Sequence, residues 1–191
     1  MLFGRGRWWR TCFVRMYLRA YRTTDLPSLY ELDNVCFEPP FRFSRDAMRR
    51  FAEAKNAIVR VACEQSTNID EERIVGFCIV HLEDTRFQVT GYVVTLDVDP
   101  GFRRQGIGPA LMRSVEAAAR DAGAHDMALH VWVGNEAALR LYAELGYEFA
   151  RTAKDFYAPG LDALVYRKAL DAGGQGSVSE GGEWRRFDGS A

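Results

Sequence analysis

A glycine-rich turn between a strand and a helix constrains this chain more than any other segment. The sequence LDVDPGFRRQGIGPALMRSV, residues 96–115, runs from an apolar strand pattern through a Pro-Gly turn into a helical pattern. Gly106 and Gly108 can adopt backbone angles closed to other residues, and their missing side chains let a ligand approach the main chain. Backbone N–H groups and the positive end of the helix dipole then converge on one point, where Arg103 and Arg104 add full charges. The segment therefore predicts an anion-binding turn.

Two common nucleotide-binding fingerprints do not fit this turn. A dinucleotide fingerprint would need a third glycine where Leu111 stands. A phosphate loop of the nucleotide triphosphatases would need Gly-Lys followed by Ser or Thr at the helix start, and this is absent. Pro109 lacks an N–H, so the donors come from residues 104–108, and a proline is tolerated at a first helical position. A bare turn with two glycines is equally compatible with a plain strand-to-helix connection, so the rest of the chain has to decide.

Composition limits the class of protein. A chain of 191 residues is the size of one domain, and its 25 basic and 26 acidic residues nearly cancel, which argues against an overall preference for nucleic acid. No run approaches the ~20 apolar residues of a membrane span, so we expect no membrane partner either. The cysteines and histidines lack metal-ligand spacing, which favours reduced thiols in a cytoplasmic protein without a metal. These residues are Cys12, Cys36, Cys63, Cys78, His81, His125 and His130.

The two ends differ in composition from the middle of the chain. Residues 1–15 are basic but lack the apolar centre and cleavage site of a secretory signal. They are predicted to be a disordered leader or the result of an upstream start chosen in error, since Met16 directly precedes the first strand pattern. Residues 171–191 are Gly/Ser-rich without periodicity, which predicts a disordered tail. One domain is therefore expected over residues 16–170.

Between these ends, periodicity predicts the element order β-α-α-β-β-β-α-β-α-β-β. The first helix is expected to begin with Asp25 as its N-cap and Pro27 in its first turn, and the second with Ser44 as its cap. Two apolar runs joined by a polar turn around Asn68 and Asp70 predict a β-hairpin. The order indicates one mixed α/β sheet without a second domain.

Two motifs resemble the signatures of the GNAT superfamily, the acyl-CoA N-acyltransferases. RRQGIG, residues 103–108, is similar to Arg/Gln-x-x-Gly-x-Gly/Ala, and NEAALRLYAELGY, residues 135–147, is similar to Asn-x-x-Ala-x-x-Leu-Tyr-x-x-x-Gly-Phe/Tyr. The resemblance covers residues 18–170. Within the superfamily, LHVWVGNEAALRLYAELGY and DFYAPGLDALVY look most like the bacterial ribosomal-protein N-terminal alanine acetyltransferases and their N-terminal acetyltransferase relatives. It implies an α/β fold with a mixed, mostly antiparallel central sheet of about seven strands flanked by about four helices.

This resemblance implies an N-acetyltransferase with acetyl-CoA as its cosubstrate. The turn would hold the pyrophosphate of acetyl-CoA, and the end of the preceding strand would pair through its backbone with the pantetheine arm. Asn135 would bond the pantetheine chain, while Asn also favours the N-cap of the following helix in its own right, and both roles can coexist. The residues so implied are Leu96, Asp97, Val98, Arg103, Arg104, Gln105, Gly106, Ile107, Gly108, Pro109 and Asn135.

The resemblance also implies direct attack of an amine on the thioester without a covalent enzyme intermediate. Tyr142 matches the family tyrosine that protonates the coenzyme A thiolate, with core packing as the alternative. In the motif Leu-Glu-Val-Arg, the family's catalytic Glu is replaced here by His130 and the Arg by Trp132. A histidine, with a reference pKa of about 6.5, accepts a proton near pH 7, and an α-amine at about 8 needs less help than a lysine at about 10.4. His130 is therefore the candidate base, against a histidine stacked on Trp132 with water as the base.

Two loops carry candidate acceptor-binding residues. Glu38 lies in FEPPFRF between the first two helices, and Tyr157 lies between the last two strands; in relatives these loops flank the peptide groove. Glu38 could receive a charged N-terminus and Tyr157 the peptide backbone, or both could be ordinary loop residues. The leading hypothesis is acetylation of a protein or peptide N-terminus, ribosomal proteins included. Acetylation of a small-molecule amine and a non-catalytic acetyl-CoA-binding module are the alternatives, and the oligomeric state stays open.

Overall fold

The order of the elements agrees with the order predicted from periodicity. The computed structural model describes residues 14–66, 72–84 and 88–170, which contain seven strands and four α-helices in the order β-α-α-β-β-β-α-β-α-β-β. They are β1 (Val14–Ala20), α1 (Leu26–Cys36), α2 (Arg45–Ala52), β2 (Ala57–Ser66), β3 (Glu72–Asp84), β4 (Val89–Val98), α3 (Ile107–Asp121), β5 (Ala124–Trp132), α4 (Glu136–Glu144), β6 (Glu148–Ala158) and β7 (Leu161–Ala169). None of the helices in these ranges is long and apolar enough to cross a membrane.

The strands form one sheet in the order β1-β2-β3-β4-β5-β7-β6. β4 and β5 are parallel, and every other neighbouring pair is antiparallel. The predicted mixed, mostly antiparallel sheet is thereby confirmed. β2 and β3 pair as the predicted hairpin, whose turn around Asn68 and Asp70 lies outside the described residues.

The predicted ends of the domain fall largely on residues that are not described. The tail, residues 171–191, lies outside the described residues, as does the leader over residues 1–13. Val14 and Arg15, assigned to the leader from the sequence, belong to β1, where Val14 pairs with Ser66 and Arg15 with Gln65. The first strand therefore begins before Met16, because β2 is long enough to extend the pairing.

Two hydrophobic clusters fill the two faces of the sheet. Because side chains alternate along a strand, Cys78 and Val80 of β3 point to one face, and Phe77 and Ile79 point to the other. α3 covers the first face and buries Leu111, while α1 and α2 cover the second. α4 adds to the first cluster. The sheet is therefore covered on both sides by apolar helix faces.

The helix starts agree only partly with the sequence prediction. Ser44 caps α2, because its hydroxyl accepts the N–H of Ala47 at 3.2 Å. Asp25 stands at the N-cap of α1 but makes no side-chain cap bond. Its carboxylate is taken by Arg19, at 2.7 Å, and by the N–H of Arg22. An ion pair between Asp25 and Arg19 of β1 thus replaces the expected helix cap.

β4 and β5 separate halfway along their length. Val93 and Leu129 are their last paired residues. Beyond this point β4 stays paired with β3 as far as Val98, and β5 stays paired with β7 as far as Trp132. The β3–β4 register shifts at the same place, which leaves Val94 as an extra residue, and such a bulge bends a strand. The bulge therefore accompanies an opening in the middle of the sheet.

We predict that Leu111→Ala lowers the free energy of unfolding by about 3 kcal/mol, because Leu111 is 0% exposed and its truncation leaves a cavity between α3 and the sheet. Urea unfolding would measure the change. Val35→Ala, at a side chain 62% exposed, is the matched control and should change the free energy by no more than about 0.5 kcal/mol. Equal losses in both variants would contradict the assigned core.

Candidate active site

The glycine turn forms a concave backbone surface at the start of α3. Gly106 is the N-cap of α3 with a φ of 81°, and Arg104 is also left-handed with a φ of 63°. The first in-helix hydrogen bond runs from Ala110 N–H to Gly106 O at 3.1 Å, so the amides of Ile107 and Gly108 lie ahead of the hydrogen-bonded ladder. Such unsatisfied N–H groups at a helix start bind anions.

The two glycines differ in what the turn requires of them. A Cβ on Gly106 would meet nothing within 4 Å, so its positive φ alone demands glycine. Gly108 lies inside α3, where a Cβ would make an ordinary 3.5 Å contact with Leu141. The helix also begins at Ile107, so Pro109 occupies its third position and not its first. The sequence placed the helix start too late because the left-handed Gly106 ends the turn before the proline.

The side chains of the turn contact the protein as well as solvent. Arg103 Nε donates to Val98 O at 2.9 Å, and Gln105 Nε2 donates to Gly101 O at 3.3 Å. Arg103 therefore fastens the turn to the end of β4. All of the turn from Arg103 to Gly106 is exposed, so a ligand can reach its backbone and charges.

The end of β4, Leu96–Val98, leads directly to this turn. We call this segment the strand end. Its edge towards β5 lies beyond the last β4–β5 pair, so backbone groups there can accept an extended ligand in place of a strand. Asp97 contributes only its backbone, since its side chain is 1% exposed. Asn135 caps α4 by accepting Ala138 N–H at 3.2 Å, which leaves its NH₂ group for a ligand.

His130 lies on β5 just past the point where the strands separate. Its Nδ1 is 3.1 Å from the hydroxyl of Tyr92 on β4, and its ring stacks on Phe156 with 4.0 Å between centroids. The stacking partner is therefore Phe156 and not the Trp132 considered from sequence. Burial and the charge of Arg151 lower the pKa of His130 to about 4. The imidazole is neutral near pH 7.

Tyr92 is a site residue that the sequence reasoning missed. It pairs with Ala128, and His130 lies two residues further along β5, so both side chains point to the same face. This signal becomes available only when the β4–β5 register is known. Tyr142 and Tyr157 are both close enough to contribute to the raised pKa of Tyr92, which burial causes in the first place. Tyr92 and Tyr157 thus both contact His130, one at its ring nitrogen and the other at its backbone oxygen.

Tyr142 lies on α4 and is 7% exposed. Its ring meets Tyr147 edge-to-face, with 5.7 Å between centroids, inside the hydrophobic cluster under α3. Burial raises its pKa above the ordinary value, with smaller contributions from Cys78 and Tyr157. Its hydroxyl therefore keeps its proton, as a proton donor must. Core packing, the alternative considered from sequence, coexists with this property.

The predicted acceptor residues come together, but Tyr157 lies within β6 and not in the loop predicted from the sequence, because β6 continues to Ala158. We call residues 37–44, between α1 and α2, the acceptor loop. Its Phe41 contacts Trp132 and Tyr157, with centroid distances of 5.2 and 5.0 Å. Tyr157 also donates from its hydroxyl to His130 O at 3.2 Å. Glu38 is exposed on the same loop. The candidate acceptor residues therefore surround the strand that carries His130.

Cysteine and metal chemistry is not built into the described ranges. Cys36, Cys63 and Cys78 are all free thiols. Burial raises the pKa of Cys36 and of Cys63 to about 11, which keeps these thiols protonated and poorly nucleophilic. No group of three His, Cys, Asp or Glu residues in the part of the chain that the structure describes could hold a metal ion.

Known proteins resemble this chain in both sequence and fold. The profile described as the Acetyltransferase (GNAT) family matches residues 26–147. The chain is 36% identical over 156 residues to an N-alpha-acetyltransferase of Sulfurisphaera tokodaii, in an alignment that covers 80% of this chain and 92% of that protein. It is 35% identical over 100 residues to the N-terminal acetyltransferase A complex catalytic subunit NAA10 of Arabidopsis thaliana, covering 51% of this chain and 52% of that protein. The chain thus spans about half the length of this second relative.

Among solved structures, the ribosomal-protein-S18-alanine N-acetyltransferase of Escherichia coli superposes with a TM-score of 0.70. The superposition covers 86% of this chain and 100% of that chain at 20% sequence identity. At this identity, the likeness establishes a common fold.

We predict that His130 titrates near pH 4 and that Arg151→Gln raises its pKa, because the arginine disfavours the charged imidazolium. NMR of the imidazole C–H signals against pH measures both. Arg113→Gln, at an exposed position of α3, is the control and should leave the midpoint unchanged. A midpoint near 6.5 in the unmodified protein would contradict the burial of the ring.

Proposed function

Because the chain belongs to the acetyltransferase (GNAT) family and is an acetyl-CoA-dependent N-acetyltransferase, we propose that its acceptor is the N-terminal α-amine of a protein or peptide. The observation that carries this proposal is the position of His130. It lies where β4 and β5 separate, hydrogen-bonded to Tyr92 and next to the aromatic contact between the acceptor loop and Tyr157. A candidate base, an opening in the sheet and an aromatic contact group are therefore adjacent.

The opening fits acetyl-CoA by its chemistry. When bound, acetyl-CoA supplies an acetyl group activated as a thioester. The backbone amides of residues 104–108 and the charge of Arg104 would bind its pyrophosphate, since a left-handed turn ahead of a helix presents N–H groups to an anion. The strand end, Leu96–Val98, offers the backbone donors and acceptors that an extended amide chain needs. Asn135 would add its NH₂ group.

His130 and Tyr92 would take the proton of the attacking amine. A neutral imidazole has one nitrogen that accepts a hydrogen bond, and the contact between Nδ1 and the Tyr92 hydroxyl holds the ring in place. A pKa of about 4 makes His130 a weak base. Such a base suits an amine that is partly neutral already, and an α-amine with a pKa of about 8 meets this condition far better than a lysine.

Tyr142 would supply the other proton. As the C–S bond breaks, its hydroxyl donates a proton to the departing sulfur, and solvent later restores it. Its raised pKa ensures that the proton is present at neutral pH.

The aromatic contacts beside His130 would suit a peptide better than a small amine. Phe41 of the acceptor loop contacts Trp132 of β5 and Tyr157 of β6, and Glu38 is exposed on the same loop. Glu38 would attract the charged N-terminus before it loses its proton, and Tyr157 would hydrogen-bond the peptide backbone. The family resemblance suggests these roles, and the contact of Phe41 with Tyr157 and the hydrogen bond from Tyr157 to His130 O support them.

Mass spectrometry of acetyl transfer to a peptide panel tests the proposed acceptor. The panel pairs free with blocked N-termini carrying Ala, Ser or Met, and adds lysine-bearing peptides and polyamines. A mass gain confined to free N-termini is expected. Gain on polyamines alone would assign a small-molecule acceptor instead. Binding of acetyl-CoA without any transfer would indicate a non-catalytic module.

We predict that Tyr142→Phe lowers kcat by about 10²-fold or more, because removing a general acid typically costs that much. The fold is expected to survive, since the ring keeps its core contacts. Tyr166→Phe, on β7, is the matched control and should retain activity. Steady-state kinetics with a free-N-terminus peptide measures both variants. Equal activity of Tyr142→Phe and the unmodified enzyme would remove Tyr142 from the mechanism.

A further inference from the structure

Two aspartates, one on α1 and one on the strand end, are buried where α1 packs against β4. Asp97 of β4 is 1% exposed, and Asp33 of α1 is 0% exposed. Thr95 Oγ1 donates to Asp97 Oδ1 at 2.5 Å, and Phe43 N–H donates to Asp33 Oδ2 at 2.8 Å. Within the part of the chain that the structure describes, Asp97 Oδ2 and Asp33 Oδ1 have no hydrogen-bond partner. Each carboxyl is therefore half satisfied.

Such a pair does not tolerate two negative charges. A buried, unpaired carboxylate is strongly disfavoured, and two carboxyls that sense each other keep at least one proton between them. Burial raises the pKa of Asp97 well above its ordinary value, and the charge of Asp33 raises it further. Burial also raises the pKa of Asp33, to about 6, against the opposing N–H of Phe43 and charge of Arg42.

We propose that Asp33 and Asp97 are a proton-holding pair that positions the acceptor loop against the strand end, with Asp97 as the neutral acid at neutral pH. The proton comes from solvent and resides on the carboxyl of Asp97. Neither residue touches the reacting atoms, so both are positioning residues. The kinetic part of this inference rests on the proposed function, whereas its structural part does not.

The last turns of α1 connect the acceptor loop to the strand end. Asp33 holds the acceptor loop through Phe43 N–H, and Phe41 of the same loop contacts Trp132 and Tyr157. Cys36 Sγ, one turn after Asp33, donates to Val98 O of the strand end at 3.3 Å. Repulsion between two ionised aspartates would push α1 away from β4 and carry the acceptor loop with it.

The groups around the pair do not neutralise it. Cys36 of α1 and Cys78 of β3 have raised pKa values because they are buried, so both are neutral thiols. Arg103 is exposed and is already bonded to Val98 O, and it only partly offsets the shift on Asp97. The titratable or charged groups that act on the pair or respond to it are Cys36, Arg42, Cys78, Arg103 and Tyr142.

Thermal unfolding against pH tests the proton-holding state. Because the carboxyl pKa values are higher in the folded state than in the unfolded one, the folded state binds more protons, and stability falls as pH rises through this window. The side-chain amide introduced by Asp97→Asn provides an N–H donor in place of the carboxyl proton and cannot ionise. This variant should melt higher than the unmodified protein at pH 8, by about 2–4 °C or more, with a smaller difference at pH 5.

Asp84→Asn, at an exposed position of β3, is the matched control and should show no pH-dependent difference. An Asp97→Asn protein that melts lower than the unmodified protein at pH 8 but not at pH 5 would show that the charged form is the stabilising one, and would overturn the proposal. If Asp97→Asn does not fold, the unmodified protein decides. Carboxyl ¹³C NMR of aspartate-labelled protein should then contain a protonated aspartate signal at pH 7, and its absence would overturn the proposal.

Kinetics tests the positioning role. When both aspartates are ionised in half of the enzyme molecules, the KM for peptide should rise about twofold. Only the molecules whose acceptor loop is held in position then bind the peptide. The ratio of peptide KM values between the unmodified enzyme and Asp97→Asn should therefore increase from pH 6 to pH 8. Titration of the peptide amine affects both enzymes equally and cancels in this ratio. A constant ratio alongside the expected melting difference would remove the positioning role alone, and no acetylation at all would instead contradict the proposed function.

Discussion

The separation of β4 and β5 after Val93 and Leu129 is the constraint on which the rest of the site depends. A parallel pair that stayed closed would satisfy the backbone of the strand end with β5 and leave no room for a ligand. The extra residue at Val94 bends β4 at this point, and β3 holds it on its other side. β5 is held in turn by β7 as far as Trp132. The opening is therefore fixed by the pairing on both outer edges and does not depend on a mobile loop.

Two elements use this opening from opposite ends. The turn before α3 lies where the strand end finishes, so its backbone amides face whatever extends along β4. His130 lies on β5 just past the separation, and Tyr142 of α4 is buried in the cluster under α3. The hydrogen bond from Arg103 to Val98 O holds the glycine turn against the strand end. Binding and chemistry are thus positioned by one sheet.

Local periodicity and turn chemistry predicted the element order, one mixed α/β sheet and the glycine turn, and the family resemblance added the mostly antiparallel pairing. Features that depend on contacts between distant segments could not be predicted from the sequence. Tyr92 became a site residue only through the register that puts it beside His130, and Asp25 lost its expected cap role to an ion pair with Arg19. Asp97 was placed correctly on its strand, but its burial against α1 has no signature in a single sequence.

The low pKa of His130 bears on which acceptor amine the proposed mechanism favours. The aromatic enclosure that stacks Phe156 on the imidazole removes water, which disfavours the charged ring and makes it a weak base. The same exclusion of water keeps Tyr142 protonated and strengthens it as the partner of a departing anion. A site with a weak base and a secure acid works best when the acceptor loses its proton readily. An N-terminal α-amine meets that requirement. The reference pKa of a lysine side chain is more than two units higher than that of an α-amine, so a lysine holds its proton more tightly. The proposed selectivity for the chain terminus would then follow from burial as much as from the contacts of the acceptor loop.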